Sequence, residues 1–237
     1  CSTFITGSRG GAAYMIMSLI PSIYLCRKKQ FVKKPIKKRY FFFLGIAGIG
    51  VLLSFKFLGS AIGRDMKHEV SAWTYASIYL GAPIKNLDYF LQRPHNLPKV
   101  FGCTTFYYQI QSYAIEHDIK TLIYEFDLPF MSFNGHNSGN VFTMFYTFVY
   151  DFGYKGVVIL TSIMAFVLQV IYESMIKSIN KPFSFSRLLY MYEFPFVVFA
   201  FFSNKFYEGL TTSFLKIIFF WIVIYILVIQ NTYKAKK

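Results

Sequence analysis

Charge is scarce in this chain: only 15% of its 237 residues are Asp, Glu, Lys or Arg. A soluble domain usually carries about 25%. Tryptophan (2) and cysteine (3) are also rare. Cys1, Cys26 and Cys103 make neither an even disulfide framework nor a metal-ligand spacing. No H-E-x-x-H run occurs, and the four histidines have no zinc spacing. No metal and no cofactor is expected. No charged leader precedes a cleavage site, so no signal peptide is visible. With Cys rather than Met at position 1, the chain is expected to be the C-terminal part of a longer protein.

What is abundant is apolar and aromatic. Hydrophobic residues make up 55% of the chain, with 29 Phe and 19 Tyr, and the mean hydropathy is +0.41. This excludes a disordered chain and disfavours a water-soluble enzyme. A membrane span needs about 20 mostly apolar residues. Five stretches meet or approach that: 10–26, 41–63, 156–176, 188–203 and 210–230. The fourth holds Glu193 and Pro195 and has a re-entrant segment as its alternative. Lys56 and Lys216 lie near span ends, where a long side chain can reach the headgroups.

The net charge of +14 raises the question of nucleic acid, and position answers it. Arg27, Lys28, Lys29, Lys33, Lys34, Lys37, Lys38 and Arg39 follow the first stretch. Lys177, Lys181 and Arg187 follow the third, and Lys234, Lys236 and Lys237 the fifth. These are alternate connections, so five spans place all of them on one side, the cytoplasm. Segment 64–155 has seven basic and eight acidic residues and falls outside. The basic excess is a topology signal, and no nucleic-acid partner is expected.

The expected architecture is therefore all-α and polytopic, with about five transmembrane helices and a large external loop of amphipathic helices. Residues 1–63 form two spans joined by a basic loop. Residues 64–155 form the external loop, and 156–237 form about three spans and a basic tail. Within the loop, Trp73, Ala76, Tyr79 and Leu80 recur at helical spacing. Leu87, Phe90 and Leu91 repeat it after a break at Gly81-Ala82-Pro83. Ile110, Tyr113, Ala114, Leu122 and Ile123 suggest another helix. Val141–Tyr150 reads as an interfacial helix broken by Asp151 and Gly153, with the chain turning into its span at Gly156. Such elements suit a cap over a site for an amphiphilic substrate.

Four local features then resemble one family. Thr6-Gly7-Ser8-Arg9-Gly10 leads into a span. Tyr79-Leu80-Gly81-Ala82-Pro83 is followed by Leu87-Asp88-Tyr89-Phe90. Phe101-Gly102 is followed by Thr105-Phe106. Asn140-Val141-Phe142-Thr143 is followed by Asp151-Phe152-Gly153. In this order the chain resembles the C-terminal half of the Wzy family, the O-antigen and capsule repeat-unit polymerases. The resemblance implies a glycosyltransferase of the bacterial cytoplasmic membrane. It would join undecaprenyl-diphosphate-linked oligosaccharides on the outer face, among membrane lipids and beside a flippase and a chain-length regulator.

That chemistry needs cations for the diphosphate, and Arg9, Arg64 and Arg93 are the candidates. Asn140 and Thr143 of the N-x-x-T element are expected to contact glycan. A base for the attacking hydroxyl would come from His136 or Asp151. The alternatives are an O-antigen ligase-type transferase and a non-enzymatic polysaccharide transporter or flippase. The latter usually shows internal repeats, and none is seen between residues 1–120 and 121–237.

Overall fold

A computed structural model describes residues 14, 17–24, 71–93, 100–126, 128–133, 136–180 and 184–230. Arg9, Arg64, the 41–63 stretch and most of 10–26 lie outside the described residues. The described chain is mostly helical. Helix α1 (Ala72–Leu91) starts at Ser71, whose hydroxyl accepts the Thr74 N–H at 3.1 Å. Helix α2 (Tyr107–Glu116) follows, then a 3-10 turn at Lys120–Leu122. Strands β1 (Met131–Phe133) and β2 (His136–Gly139) pair antiparallel. Helix α3 (Met144–Lys177) is the longest. Helix α4 (Phe185–Val198) runs into a 3-10 turn at Phe199–Phe201, and α5 (Lys205–Gly209) is a short turn of helix. Helix α6 (Thr212–Ile224) ends in a π-helical stretch, Tyr225–Gln230.

Gly153 divides α3. Its φ of 67° and ψ of −165° lie where only glycine sits without strain. An upper limb, 144–152, therefore meets a lower limb, 154–177, at a bend. The sequence predicts this break, but the upper limb starts at Met144, after Thr143, rather than at Val141. At about 1.5 Å per residue the lower limb is about 36 Å long, enough for a hydrocarbon core of about 30 Å. Val158, Ile159, Ile163, Phe166 and Val170 on this limb are exposed. A row of unburied apolar side chains on so long a helix is costly in water and favourable in lipid. Among the described residues, α3 is the one helix long and apolar enough to cross a membrane.

Several expectations change. The 188–203 stretch does not form a full span. Its helix has 14 residues, about 21 Å of rise, and breaks into the 3-10 turn soon after Pro195. The fifth stretch is apolar and helical from Thr212 to Leu227 but shorter than a full span. Gly81-Ala82-Pro83 does not interrupt α1. The helix continues because Ala82, Pro83 and Asn86 are buried as one face, and packing there outweighs the local breakers. The Ile110–Ile123 helix stops at Glu116, and Asp118 takes a positive φ of 51°. The two-stranded hairpin departs from an all-α fold.

The core lies where α3 meets the 200–207 segment. Met144, Phe148, Leu160, Met164, Phe206 and Tyr207 are buried together, with Phe106 and Phe152 packed on them. Both limbs of α3 contribute, so the bend is fixed from inside.

Candidate functional site

Three short segments converge on the upper limb of α3. The first is the turn at 100–106. Gly102 has φ +72°, and a Cβ there would lie 2.9 Å from the Phe106 ring and 3.3 Å from Phe152. Glycine allows this close approach. The turn closes through Cys103 N–H to the Val100 carbonyl (3.1 Å) and Phe106 N–H to the Gly102 carbonyl (2.9 Å). It thereby turns the Thr104 and Thr105 amides toward α3.

Asp151 meets those amides. Its buried carboxylate accepts the Thr105 N–H at 2.6 Å and the Thr104 N–H at 3.1 Å. The Cys103 thiol is 3.5 Å away. One turn earlier, the Thr147 carbonyl accepts the Thr105 and Thr104 hydroxyls at 3.2 and 3.4 Å. The Tyr124 hydroxyl donates to the Cys103 carbonyl (2.7 Å) from the far side. Burial, then the Asp151 charge, pushes the Cys103 thiol up to about 11. Burial similarly raises Tyr124 and Tyr146 to about 12. The thiol is thus neutral and poorly nucleophilic at ordinary pH. A carboxylate surrounded by amide donors is an anchor: its lone pairs are engaged in holding the turn.

The second segment is α1. Asn86 is fully buried and donates from Nδ2 to the Val141 carbonyl at 2.8 Å. This fixes the start of the N-x-x-T element. Phe90 packs edge-on to Tyr146 (4.6 Å). Beside this contact two buried polar atoms, Asn86 Oδ1 and Thr143 Oγ1, have no protein hydrogen-bond partner. Both belong to residues at the junction of α1 and the start of α3.

The third segment is the hairpin. The Arg93 guanidinium lies 3.8 Å over the Tyr89 ring, and Tyr89 packs on Phe133 at 5.4 Å. Phe133 is the register partner of His136. Lys85 Nζ stands 5.7 Å from the same Phe133 ring and 3.2 Å from Asp88. Arg93 and the His136 backbone therefore belong to one connected cluster. The His136 side chain lies outside the described residues, as do Arg9 and Arg64. Asn140 is half-buried in the turn between β2 and α3.

The two base candidates are thus separated. Thr143 and Asp151 are eight positions apart along one helix limb, about 12 Å by helical rise. The hairpin cluster is joined to the Thr143 end. Lys85 and Asn86 are the residues that sequence reasoning missed. A polar residue on the Ala82-Pro83-Asn86 face was the available signal for Asn86. No cluster of metal-ligating side chains occurs among the described residues.

The chain matches no family model, no curated protein and no solved structure.

Proposed function

We propose that the chain polymerises undecaprenyl-diphosphate-linked oligosaccharide repeat units into O-antigen or capsular polysaccharide. It does so as a multi-pass protein of the bacterial cytoplasmic membrane, with residues 64–155 on the outer face. One observation carries the reading: three of the four motif blocks behind the family resemblance, far apart in sequence, meet on one helix limb. Thr105 touches Asp151, Phe101 packs on Phe152 at 4.8 Å, and Phe90 packs on Tyr146. The apolar, exposed lower limb of α3 supports the membrane setting.

In this mechanism a hydroxyl of the incoming repeat attacks the anomeric carbon of the growing glycan. The carbon–oxygen bond to the diphosphate breaks, and undecaprenyl diphosphate leaves with the electron pair. Arg93, Arg9 and Arg64 hold the diphosphate charge, the main contribution to lowering the barrier. His136 accepts the hydroxyl proton. Asn140 and Thr143 contact the glycan, and Asn86 holds the start of their element through the Val141 carbonyl. Asp151 acts through the turn it holds and is a positioning residue.

The test supplies membranes containing the full chain with undecaprenyl-diphosphate-linked repeats and resolves the products on a gel. A ladder of repeat-length steps is expected. A single transfer to another lipid acceptor, or no transfer at all, would overturn the proposal.

A further inference from the structure

A second site lies at the opposite end of the lower limb, where α3 ends and α4 begins. It is a cleft of about 610 Å³ that takes no part in the chemistry above. We infer that it binds a phosphate group, presented by an anionic phospholipid or by a soluble phosphate ester.

Three hydroxyls line the cleft. Ser184 Oγ lies 2.7 Å from Ser178 Oγ and 2.6 Å from Ser186 Oγ, and Ser178 is buried. Hydroxyls donate or accept by rotating, so an arriving anion can take the hydrogens that Ser184 and Ser186 now share with their neighbours, while Ser178 keeps its bond to the Met175 carbonyl. Lys177 stands at the rim with its side chain 82% exposed. Its ammonium is 4.0 Å from the Glu173 carboxylate, a loose pair that a phosphate would outcompete.

The C-terminal carbonyls of α3 would repel an anion if they were open, but those of Ser174, Met175 and Ile176 are engaged. The Ser178 N–H and Oγ bond the Ser174 and Met175 carbonyls, at 3.1 and 2.9 Å. The Arg187 guanidinium bonds the Ser178 carbonyl and holds a positive charge behind the serines. Across the cleft, Ser184 makes no side-chain cap to the first turn of α4, so its hydroxyl exchanges hydrogen bonds only with the other serines of the cleft. Phe185 and Tyr225 supply an apolar wall. Hydroxyls, a mobile lysine and a ring wall together suit a phosphate carried on an apolar body. The inference is independent of the glycan chemistry.

The experiment uses the full chain in detergent with Trp73→Phe, which leaves Trp221 as the sole indole of this sequence. Trp221 packs on Phe185 of the cleft at 6.4 Å. Dioleoyl phosphatidylglycerol, dioleoylglycerol and inorganic phosphate are each titrated while Trp221 emission is read. Native mass spectrometry counts retained lipid in parallel. Saturable binding of phosphatidylglycerol but not dioleoylglycerol identifies a lipid headgroup. Saturation by inorganic phosphate identifies a soluble ester. Lys177→Gln should weaken binding about tenfold, the size of one lost charged contact. Glu173→Gln should tighten it severalfold. Both side chains are exposed, so the fold survives either change. No saturable binding of either probe, or binding unchanged in both variants, would overturn the inference.

Discussion

Asp151 and Thr105 join two parts of the chain 46 positions apart through a 2.6 Å bond from a backbone amide to a buried carboxylate. The same carboxylate takes the neighbouring Thr104 amide. Removing the acceptor leaves two buried N–H groups unsatisfied, at about 1–3 kcal/mol each. Asp151→Ala should therefore lower stability by several kcal/mol, and Asp151→Asn, which keeps one acceptor oxygen, by less. Thermal unfolding in detergent and proteolysis within 100–126 measure this. Polymer formation should fall in step with the loss of the docked turn. A variant that keeps its stability but loses all activity would instead make Asp151 a reacting group.

Gly153→Ala tests the bend. An added Cβ meets nothing within 4 Å, so any cost comes from the backbone alone. With φ at 67° and ψ at −165°, that cost is about 1–3 kcal/mol. The expected outcome is a lowered unfolding temperature with the protein still in the membrane fraction. Unchanged stability would mean that the limbs realign into one straight helix at no cost.

The Cys103 thiol gives a pH signature. Its pKa is raised from 9.0 to about 11, so the folded state favours the protonated form. Stability from this group is complete below pH 9 and is lost as pH rises through about 11. Tyr124 and Tyr146, raised to about 12, extend the loss upward. With Cys1 and Cys26 replaced by Ser, alkylation of Cys103 should stay slow at pH 8. Asp151→Asn should accelerate it by removing a charge that disfavours the thiolate.

Arg93 and the hairpin test the site itself. Arg93→Ala should shorten the glycan while the protein remains in the membrane. Arg93→Lys should recover only part of the activity, because a point charge replaces a planar fork. Full-length ladders from Arg93→Ala would remove this arginine from diphosphate binding. A lone cysteine at position 137 should be labelled by an impermeant reagent from outside intact cells. Labelling only after the cells are opened would reverse the proposed orientation.

Local chemistry carried much of the architecture. The apolar run of the lower limb, the helical spacing on either side of Gly81-Ala82-Pro83 and the break beside Asp151 follow from periodicity and from glycine. Other features were legible but unread. Asn134-Gly135 is a strong hairpin signal in the sequence. It explains why Phe133 pairs with His136. Pro83 misled because it lies with Ala82 and Asn86 on the buried face of α1, and a helix packed along one face tolerates what an isolated one does not. The partners of Asp151, Asn86, Gln109 and Asn204 could not be read at all. Each bonds a backbone group more than 40 positions away, and nothing in the residues between them encodes that meeting.

Gln109 and Asn204 show where this leads. Asn204 Nδ2 donates to the Thr105 carbonyl at 2.9 Å, across 99 positions. Gln109 Nε2 returns the bond to the Tyr207 and Leu210 carbonyls at 2.5 and 2.9 Å. Each strap thus reaches into the other's main chain. A ribosome must complete the 204–210 stretch before both straps can close on residues 105–109, so this part of the fold waits on a segment 99 positions downstream of Thr105. Contacts of such long sequence separation form slowly. A nascent chain stopped before residue 204 would hold the 100–106 turn through Asp151 but leave α2 without either strap, open to surface proteases until synthesis resumed.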